Sequence, residues 1–139
     1  MKITLLGSIS VADKMVEIAE KLKALGHEPL MHEKMYLIGR GELNEVPDGV
    51  EHADVKRKNN YIKFWYNLIV SGDAVLVCNF NKKGVPNYIG GNVLMEMGFA
   101  HVNDKKIFLY NPIPTGVSYV DEIEAMADVV INGDLNLIQ

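Results

Sequence analysis

The sequence lacks several features that restrict the function of other proteins. It holds a single cysteine, Cys78, so no disulfide can form within the chain, which fits a reducing cytoplasm. No apolar run approaches the roughly 18 to 20 residues that a membrane-spanning helix needs. The opening MKITLLGS has too short an apolar stretch for a signal peptide. We therefore expect a cytoplasmic protein with no membrane partner.

A basic surplus is also absent. The chain carries 14 Lys and Arg against 18 Asp and Glu, a net charge of -4, whereas general nucleic-acid binders usually have a basic surplus. We expect no nucleic-acid partner, although a small anion can still bind because a local site can oppose the overall charge. The histidines show no metal-ligand spacing, so we expect no metal and no cofactor. They are His27, His32, His52 and His101.

What the sequence does have is an alternation of short buried strands and amphipathic helices. The predicted strands are Ile3–Leu6, EPLMH, DAVLVCNF, KKIFLYNPIP and DVVING. The predicted helices run from about Val11 to a stop at Gly26, from Asp54 to Val70, from Asn92 to Val102, and over SYVDEIEAMA. This alternation predicts one α/β domain over residues 1–139, a doubly wound parallel sheet of five strands with helices on both faces.

The segment from His32 to Lys58 does not follow this alternation. It is polar, contains three glycines and a proline, and shows no clean period until its end. Such a long connection is either a functional lid or a variable surface excursion. The basic run Lys56, Arg57 and Lys58 at its end could contact a phosphate or form a solvated helix face.

Ligands of doubly wound sheets bind beyond the carboxyl ends of the strands. This rule draws attention to the loops at 7–10, 79–92 and 111–115. In the first loop, LLGSISVAD, Gly7 permits a tight turn, and Ser8 and Ser10 either cap the helix or help to hold an anion. The loop lacks the three-glycine dinucleotide pattern and the Walker lysine.

The stretch NYIGGNVLMEMGFAH contains one acid within an apolar helix. Glu96 lies four residues after Asn92, on the same helix face and near the same end of the sheet as Gly7. An ionised carboxylate is costly to bury without a partner. Glu96 is therefore either a solvated residue near the helix N-terminus or part of a site. Tyr88, beside Gly90 and Gly91, is a candidate ligand contact.

GDAVLVCNF followed by YIGGNVLMEMGFAHVNDKKIFLYNP resembles the nucleoside 2-deoxyribosyltransferase superfamily, which includes 2'-deoxynucleoside 5'-phosphate N-hydrolases. The resemblance covers most of the chain outside residues 32–58. It implies a flavodoxin-like, Rossmann-like sheet in a homodimer or higher homo-oligomer. It also implies a small-molecule nucleoside or nucleotide substrate.

In this family a glutamate that matches Glu96 attacks the anomeric carbon and forms a glycosyl-enzyme, which water or another nucleobase resolves. An aspartate that matches Asp73 handles protons near the base. The expected substrate-binding residues are Gly7, Ser8, Ile9, Asn79, Tyr88, Gly91, Asn92 and Asn111.

The chain departs from the family at two places. Family transferases often carry an aspartate six residues before the glutamate, where this chain has Gly90. The nucleotide hydrolases commonly follow their GSI with arginine and glycine, where this chain has Ser10 and Val11. The base, the phosphate state and the choice between hydrolysis and transfer therefore stay open. The alternative is a non-catalytic nucleotide-binding or sensor module of the same fold.

Overall fold

A computed structural model describes residues 1–43, 57 and 60–139. Its strands are β1 (Lys2–Leu6), β2 (Glu28–Leu30), β3 (Ala74–Val77), β4 (Lys106–Leu109) and β5 (Val129–Val130). Its helices are α1 (Ala12–Ala24), α2 (Glu33–Gly39), α3 (Tyr61–Ser71), α4 (Gly91–Val102) and α5 (Val120–Met126). The strands pair in parallel in the order β2-β1-β3-β4-β5. This order confirms the predicted flavodoxin-like, doubly wound five-stranded sheet.

The sheet is buried on both faces, which explains why its central strands are almost continuously apolar. Alternate residues of β1 and β3 face opposite sides, so Leu5 and Leu76 enter one core cluster while Leu6 and Val77 enter the other. Helices α1 and α2 contribute to the first cluster. Helices α3, α4 and α5 contribute to the second. The predicted helices on both faces are thus confirmed.

Helix α2 was not predicted from the sequence. His32 caps its first turn, since its Nδ1 accepts a hydrogen bond from the Lys34 N–H at 3.0 Å. Met35 is buried, and Gly39 lies so close to α1 that a Cβ added there would stand 2.5 Å from the Ala12 carbonyl oxygen. The sequence shows no clean period here, because one buried side chain in seven residues leaves no visible pattern.

The start of the helix predicted from Asp54 lies outside the described residues, and Arg57 is helical. Asn60 has a left-handed φ of 53°, and α3 starts at Tyr61. Ile62 of α3 is 44% exposed. Residues 44–56 and 58–59 lie outside the described residues. They include more than half of the predicted lid or excursion. They also include Lys56 and Lys58 of the basic run. Arg57 is described and is exposed.

Within the described ranges, no helix combines the length and the apolar character that crossing a bilayer requires. The assignment of residues 1–139 to one domain stays a prediction, and so does the cytoplasmic location. The fold brings the carboxyl ends of β1 and β3 side by side, since Leu6 pairs with Val77 in the parallel register. The loops that follow these two strands therefore meet.

Candidate active site

The loops after β1 and β3 and the first turns of α4 surround one cavity of about 230 Å³. Seven residues that the sequence predicted for the site line it together. They are Gly7, Ser8, Ile9, Tyr88, Gly91, Asn92 and Glu96. The strand-end rule located this cavity, because parallel strands deliver their following loops to one edge of the sheet.

Glu96 is the one carboxylate among the cavity-lining residues that the structure describes. It lies in the second turn of α4, and its side chain is only 9% exposed. Val93, Met97 and Ala100 of the same helix pack into the core. Asn92 lies four residues earlier and also lines the cavity. The helix thus holds a largely buried carboxylate at the cavity wall, away from bulk water.

The chain enters α4 through Gly90, which is the N-cap with an extended backbone. The helix starts at Gly91, one residue before the predicted start, and Asn92 does not cap it. A Cβ on Gly90 would lie 3.3 Å from the Tyr88 ring, so the glycine makes room for that ring. The Tyr119 O–H donates to the Ile89 carbonyl at 2.5 Å.

The first loop is ordered by hydrogen bonds around Ser8. Its Oγ accepts from the Ser10 N–H at 3.3 Å and lies 2.9 Å from Ser10 Oγ. Lys82, from the loop after β3, donates from Nζ to Ser8 Oγ at 2.8 Å. Lys82 was absent from the predicted site. The signal that could have found it is the basic pair in NKKG, which stands in a loop already located at the carboxyl edge.

A second group of aromatic and basic side chains comes from α2 and α3. Lys34 Nζ donates to the Tyr61 hydroxyl at 2.5 Å, and the His32 ring packs edge-on against Tyr61 at 5.5 Å. Burial, and then the positive charge of Lys34, lower the pKa of His32, so its neutral form is favoured. Trp65 lines the cavity beside them. These contacts join α2, which lies at the start of the 32–58 excursion, to α3, which follows the excursion.

Asp73 does not lie in this cavity. It precedes β3, at the amino edge of the sheet, where its carboxylate accepts from the Lys2 N–H at 2.7 Å. Four residues of β3 at about 3.3 Å each separate it from the carboxyl edge by roughly 13 Å. The expectation that Asp73 acts beside Glu96 is therefore corrected. The reason is that a residue opening a parallel strand stands at the opposite edge from one closing it.

Asn79 and Asn111 are also absent from the cavity lining, although both follow strands at the carboxyl edge. The Asn79 amide donates to the carbonyls of Asn111 and Pro112 at 2.9 and 3.0 Å. Its Oδ1 accepts from the Asn111 N–H at 2.9 Å. The expected substrate-binding role is corrected for both residues, because these side chains join the ends of β3 and β4.

Cys78 closes β3 and is 3% exposed. Burial raises the pKa of its thiol, so the neutral form dominates at physiological pH. Its Cβ and carbonyl oxygen lie 3.4 Å from where a Cβ on Gly7 would stand. Cys78 therefore packs beneath the first loop, where the close approach of Gly7 leaves space only for a small side chain.

The solved structures that match this chain along nearly its whole length include two enzymes. One is the CMP N-glycosidase BcmB of Clostridium botulinum, with a TM-score of 0.55, 12% identity, and 95% of this chain and 90% of that chain covered. The other is a 2-deoxyribosyltransferase of Bacillus psychrosaccharolyticus, with a TM-score of 0.56 and 19% identity. That match covers 94% of this chain and 85% of the other. The chain has the fold of these two enzymes.

No protein-family model matches the sequence, and no curated protein does. At 12% and 19% sequence identity, the similarity to these two proteins is a similarity of fold alone. What the cavity does must therefore be argued from its own residues.

Proposed function

We propose that this chain is an enzyme of the nucleoside 2-deoxyribosyltransferase-like superfamily that cleaves or transfers at the N-glycosidic bond of a nucleoside or nucleotide. The observation that carries the proposal is Glu96, a carboxylate held at the wall of a cavity at the carboxyl edge of the sheet. The fold shared with a CMP N-glycosidase and a 2-deoxyribosyltransferase supports it. The sequence motifs around Glu96 support it independently of that likeness.

In the proposed reaction a Glu96 carboxylate oxygen attacks the anomeric carbon of the sugar. The carbon–nitrogen bond breaks, and its electron pair leaves with the base, which takes up a proton. A glycosyl ester of Glu96 remains. Attack by water then yields free sugar, and attack by a second nucleobase yields a new nucleoside. Either second step returns Glu96 to its ionised form.

The proton for the leaving base does not come from Asp73 in this proposal, because that residue is at the other edge of the sheet. Glu96 is occupied as nucleophile, and it is the one carboxylate among the described lining residues. We assign the proton to water entering the cavity. Protonation of the base by a protein side chain would require a second acid near the base.

The test is release of free base from a panel of nucleosides and nucleotides, in ribo and 2'-deoxy forms, followed by chromatography. Glu96→Ala and Glu96→Gln are expected to lower the rate by roughly a thousandfold or more, since each removes the nucleophile. The matched control is Glu124→Gln, which changes an exposed glutamate of α5. Intact-mass spectrometry early in turnover should show wild-type protein carrying one added sugar.

Two outcomes would contradict the mechanism. One is a Glu96→Ala protein that releases base as fast as wild type. The other is a sugar adduct that survives in Glu96→Gln. Thermal unfolding of each variant shows whether a loss of rate reflects a loss of fold.

A non-catalytic nucleotide sensor is the second candidate, and a specific observation favours it. Because Asp73 lies outside the cavity, the described lining offers no second carboxylate to protonate a leaving base. A sensor would be stabilised against heat by a nucleotide and would leave that nucleotide intact after prolonged incubation. Base release that depends on Glu96 would exclude this candidate.

We also propose that the chain forms a homodimer or higher homo-oligomer through the outer faces of α3 and α4. Tyr66 and Val70 on α3 are 38% and 39% exposed, and Val102 on α4 is 73% exposed. Tyr66 contacts Phe99 of α4 at 5.3 Å, so these side chains form one apolar surface. Val102→Glu is expected to shift the mass measured by light scattering toward the monomer. The control Leu25→Glu, at another exposed leucine, should not.

A further inference from the structure

Ser8, Ser10 and Lys82 form a polar cluster in the same cavity as Glu96. Ser8 Oγ is its centre, with Lys82 Nζ at 2.8 Å, Ser10 Oγ at 2.9 Å and the Ser10 backbone nitrogen at 3.3 Å. Lys82 is half-buried and Ser10 is exposed. Ser8 is half-buried as well, so the cluster combines two half-buried side chains with one exposed side chain.

The hydrogen-bond directions in this cluster follow from what a hydroxyl can do. A serine hydroxyl has one proton and two lone pairs. The lone pairs of Ser8 are used by the Lys82 ammonium and the Ser10 N–H, so its proton must go to Ser10 Oγ. The proton of Ser10 is then left to donate outward. Lys82 donates once to Ser8 and has two further N–H bonds.

The cluster therefore presents donors to a ligand. The remaining Ser10 O–H and Lys82 N–H groups suit a ligand with several acceptor oxygens and a negative charge. The described ion pairs of the chain are Lys21–Glu17 and Lys23–Glu20, so no described carboxylate neutralises Lys82. A monophosphate group has the required charge and oxygens.

The backbone that carries Lys82 is held in place before any ligand arrives. Lys82 and Val85 exchange two backbone hydrogen bonds, at 3.1 and 2.9 Å, across a tight turn. Lys83 and Gly84 supply the positive φ angles of 53° and 75° that this turn needs. A lysine on an ordered turn loses less entropy on binding than one on a mobile loop.

The charges of the cavity favour an anion although the chain as a whole is negative. Lys34, Lys82 and Lys83 line the cavity, and Glu96 is the one described carboxylate that does. The chain's net charge is -4. The cavity thus opposes the overall sign, as a site for an anionic substrate should.

We infer that Lys82 and Ser10 bind the phosphate of a nucleoside 5'-monophosphate, and that Lys82 makes the site select nucleotides over nucleosides. This inference rests on the proposed function of the cavity. It adds a specificity-determining cation, supplied by the loop after β3. That cation compensates for Ser10 and Val11 in the first loop, where neither residue carries a charge.

Binding can be measured without turnover in Glu96→Ala protein. The probes are the four common 2'-deoxynucleoside 5'-monophosphates, their ribonucleotide counterparts, the matching nucleosides and inorganic phosphate. Calorimetry gives the affinities, and Trp65, the single tryptophan and a cavity residue, gives a fluorescence readout. At least one monophosphate is expected to bind about tenfold or more tighter than its nucleoside, since charge-assisted hydrogen bonds are strong.

Adding Lys82→Ala to the Glu96→Ala protein should weaken the binding of the monophosphate by roughly 10- to 100-fold. It should weaken the binding of the nucleoside by less than about threefold. Lys82→Arg should retain much of the preference for the monophosphate over the nucleoside. Ser10→Ala should reduce that preference in part. Lys105→Ala is the matched control, because it removes a lysine that lies just before β4, at the amino edge of the sheet. A melting curve for each variant confirms that it is folded.

Several results would overturn the inference. These are equal affinity for nucleosides and monophosphates, equal weakening of both by Lys82→Ala, or no binding of any probe. Binding of inorganic phosphate without any monophosphate would assign the cluster to free phosphate and also remove the claim. Base release by wild type is a separate readout. Lys82-dependent nucleotide binding without base release would sink the glycosidic reaction and leave the phosphate site standing.

Discussion

Asn79 and Asn111 hold the carboxyl ends of β3 and β4 together through each other's backbone. The Asn79 amide group donates to the Asn111 carbonyl at 2.9 Å and accepts from the Asn111 N–H at 2.9 Å. The Asn111 side chain donates in turn to the Asn79 carbonyl at 3.0 Å. Asn79 is 1% exposed, and its hydrogen bonds to Asn111 are partly buried. The pair fixes the loop that leads from β3 toward the cavity.

We expect Asn79→Ala to lower the free energy of unfolding by about 1–3 kcal/mol, since it removes three part-buried hydrogen bonds to the backbone of Asn111 and Pro112. Asn79→Asp should destabilise at least as much, because a carboxylate cannot donate to two carbonyls. Urea denaturation measures both. Asn67→Ala, at an exposed residue of α3, is the control. A loss below about 0.5 kcal/mol for Asn79→Ala would contradict the structural role.

The contact between α1 and α2 depends on Gly39. A Cβ at this residue would stand 2.5 Å from both the Ala12 carbonyl oxygen and Val16 Cγ2, so the helices must move apart. We expect Gly39→Ala to destabilise the fold by about 2–3 kcal/mol. Gly98→Ala in α4 is the matched comparison, because its added Cβ meets no atom of the described residues within 4 Å, apart from the backbone of its own helix and its chain neighbours. That variant should gain about 0.5–1 kcal/mol. Equal effects in urea unfolding would refute this account of the packing.

His32 should make the stability depend on pH. Its pKa is lowered from 6.5 by burial and then by Lys34, so the unfolded chain binds the proton more readily than the folded one. The stabilising contribution is fully present above pH 6.5 and is lost as the pH falls through the lower folded value. Protonated Nδ1 also cannot accept from the Lys34 N–H. The melting temperature should therefore fall between pH 7.5 and pH 5.

His32→Asn separates this effect from that of other titrating groups. Asparagine is a good N-cap, so it can accept from the same N–H without titrating. The fall in melting temperature on acidification should be smaller in this variant than in wild type. Identical pH profiles for the two proteins would show that His32 does not contribute.

Cys78 should be chemically inert in the folded protein. It is 3% exposed, and burial raises the pKa of its thiol. We expect reaction with a disulfide reagent at pH 8 to be at least ~100-fold slower in native protein than in guanidinium-unfolded protein. The absorbance of the released thiolate measures the rate. Rapid native reaction would mean that the first loop opens readily above Cys78.

The shared cavity of Gly7, Ser8 and Glu96 was predictable because the rule it uses is topological. An alternation of strands and helices forces parallel strands, and parallel strands carry their following loops to one edge. The rule assigns an edge to each loop. It does not say which way a side chain leaves that loop, and Asn79 therefore turned out to bind backbone and not to face the cavity.

Asp73 shows that a sequence motif does not determine where a residue lies in the fold. Its motif suggested a catalytic partner for Glu96, but its position before β3 places it at the amino edge, beside the backbone of Lys2. Lys82 shows the reverse case. No motif marked it, yet the turn that carries it lies over the first loop and brings its ammonium to Ser8. Both outcomes depend on contacts between residues more than 70 positions apart in the chain.

The order of apolar runs, glycines and helix signals was enough to determine the five-stranded parallel sheet and the edge at which Glu96 stands. These features are local patterns. They determine the strands and helices and their parallel arrangement without any contribution from side chains that are distant in the sequence. The tertiary structure alone decided the membership of the cavity: Lys34, Trp65 and Lys82 inside it, Asp73 and Asn111 outside. The physical reason is that a binding site is a set of side-chain directions and through-space distances, which periodicity along a chain does not encode.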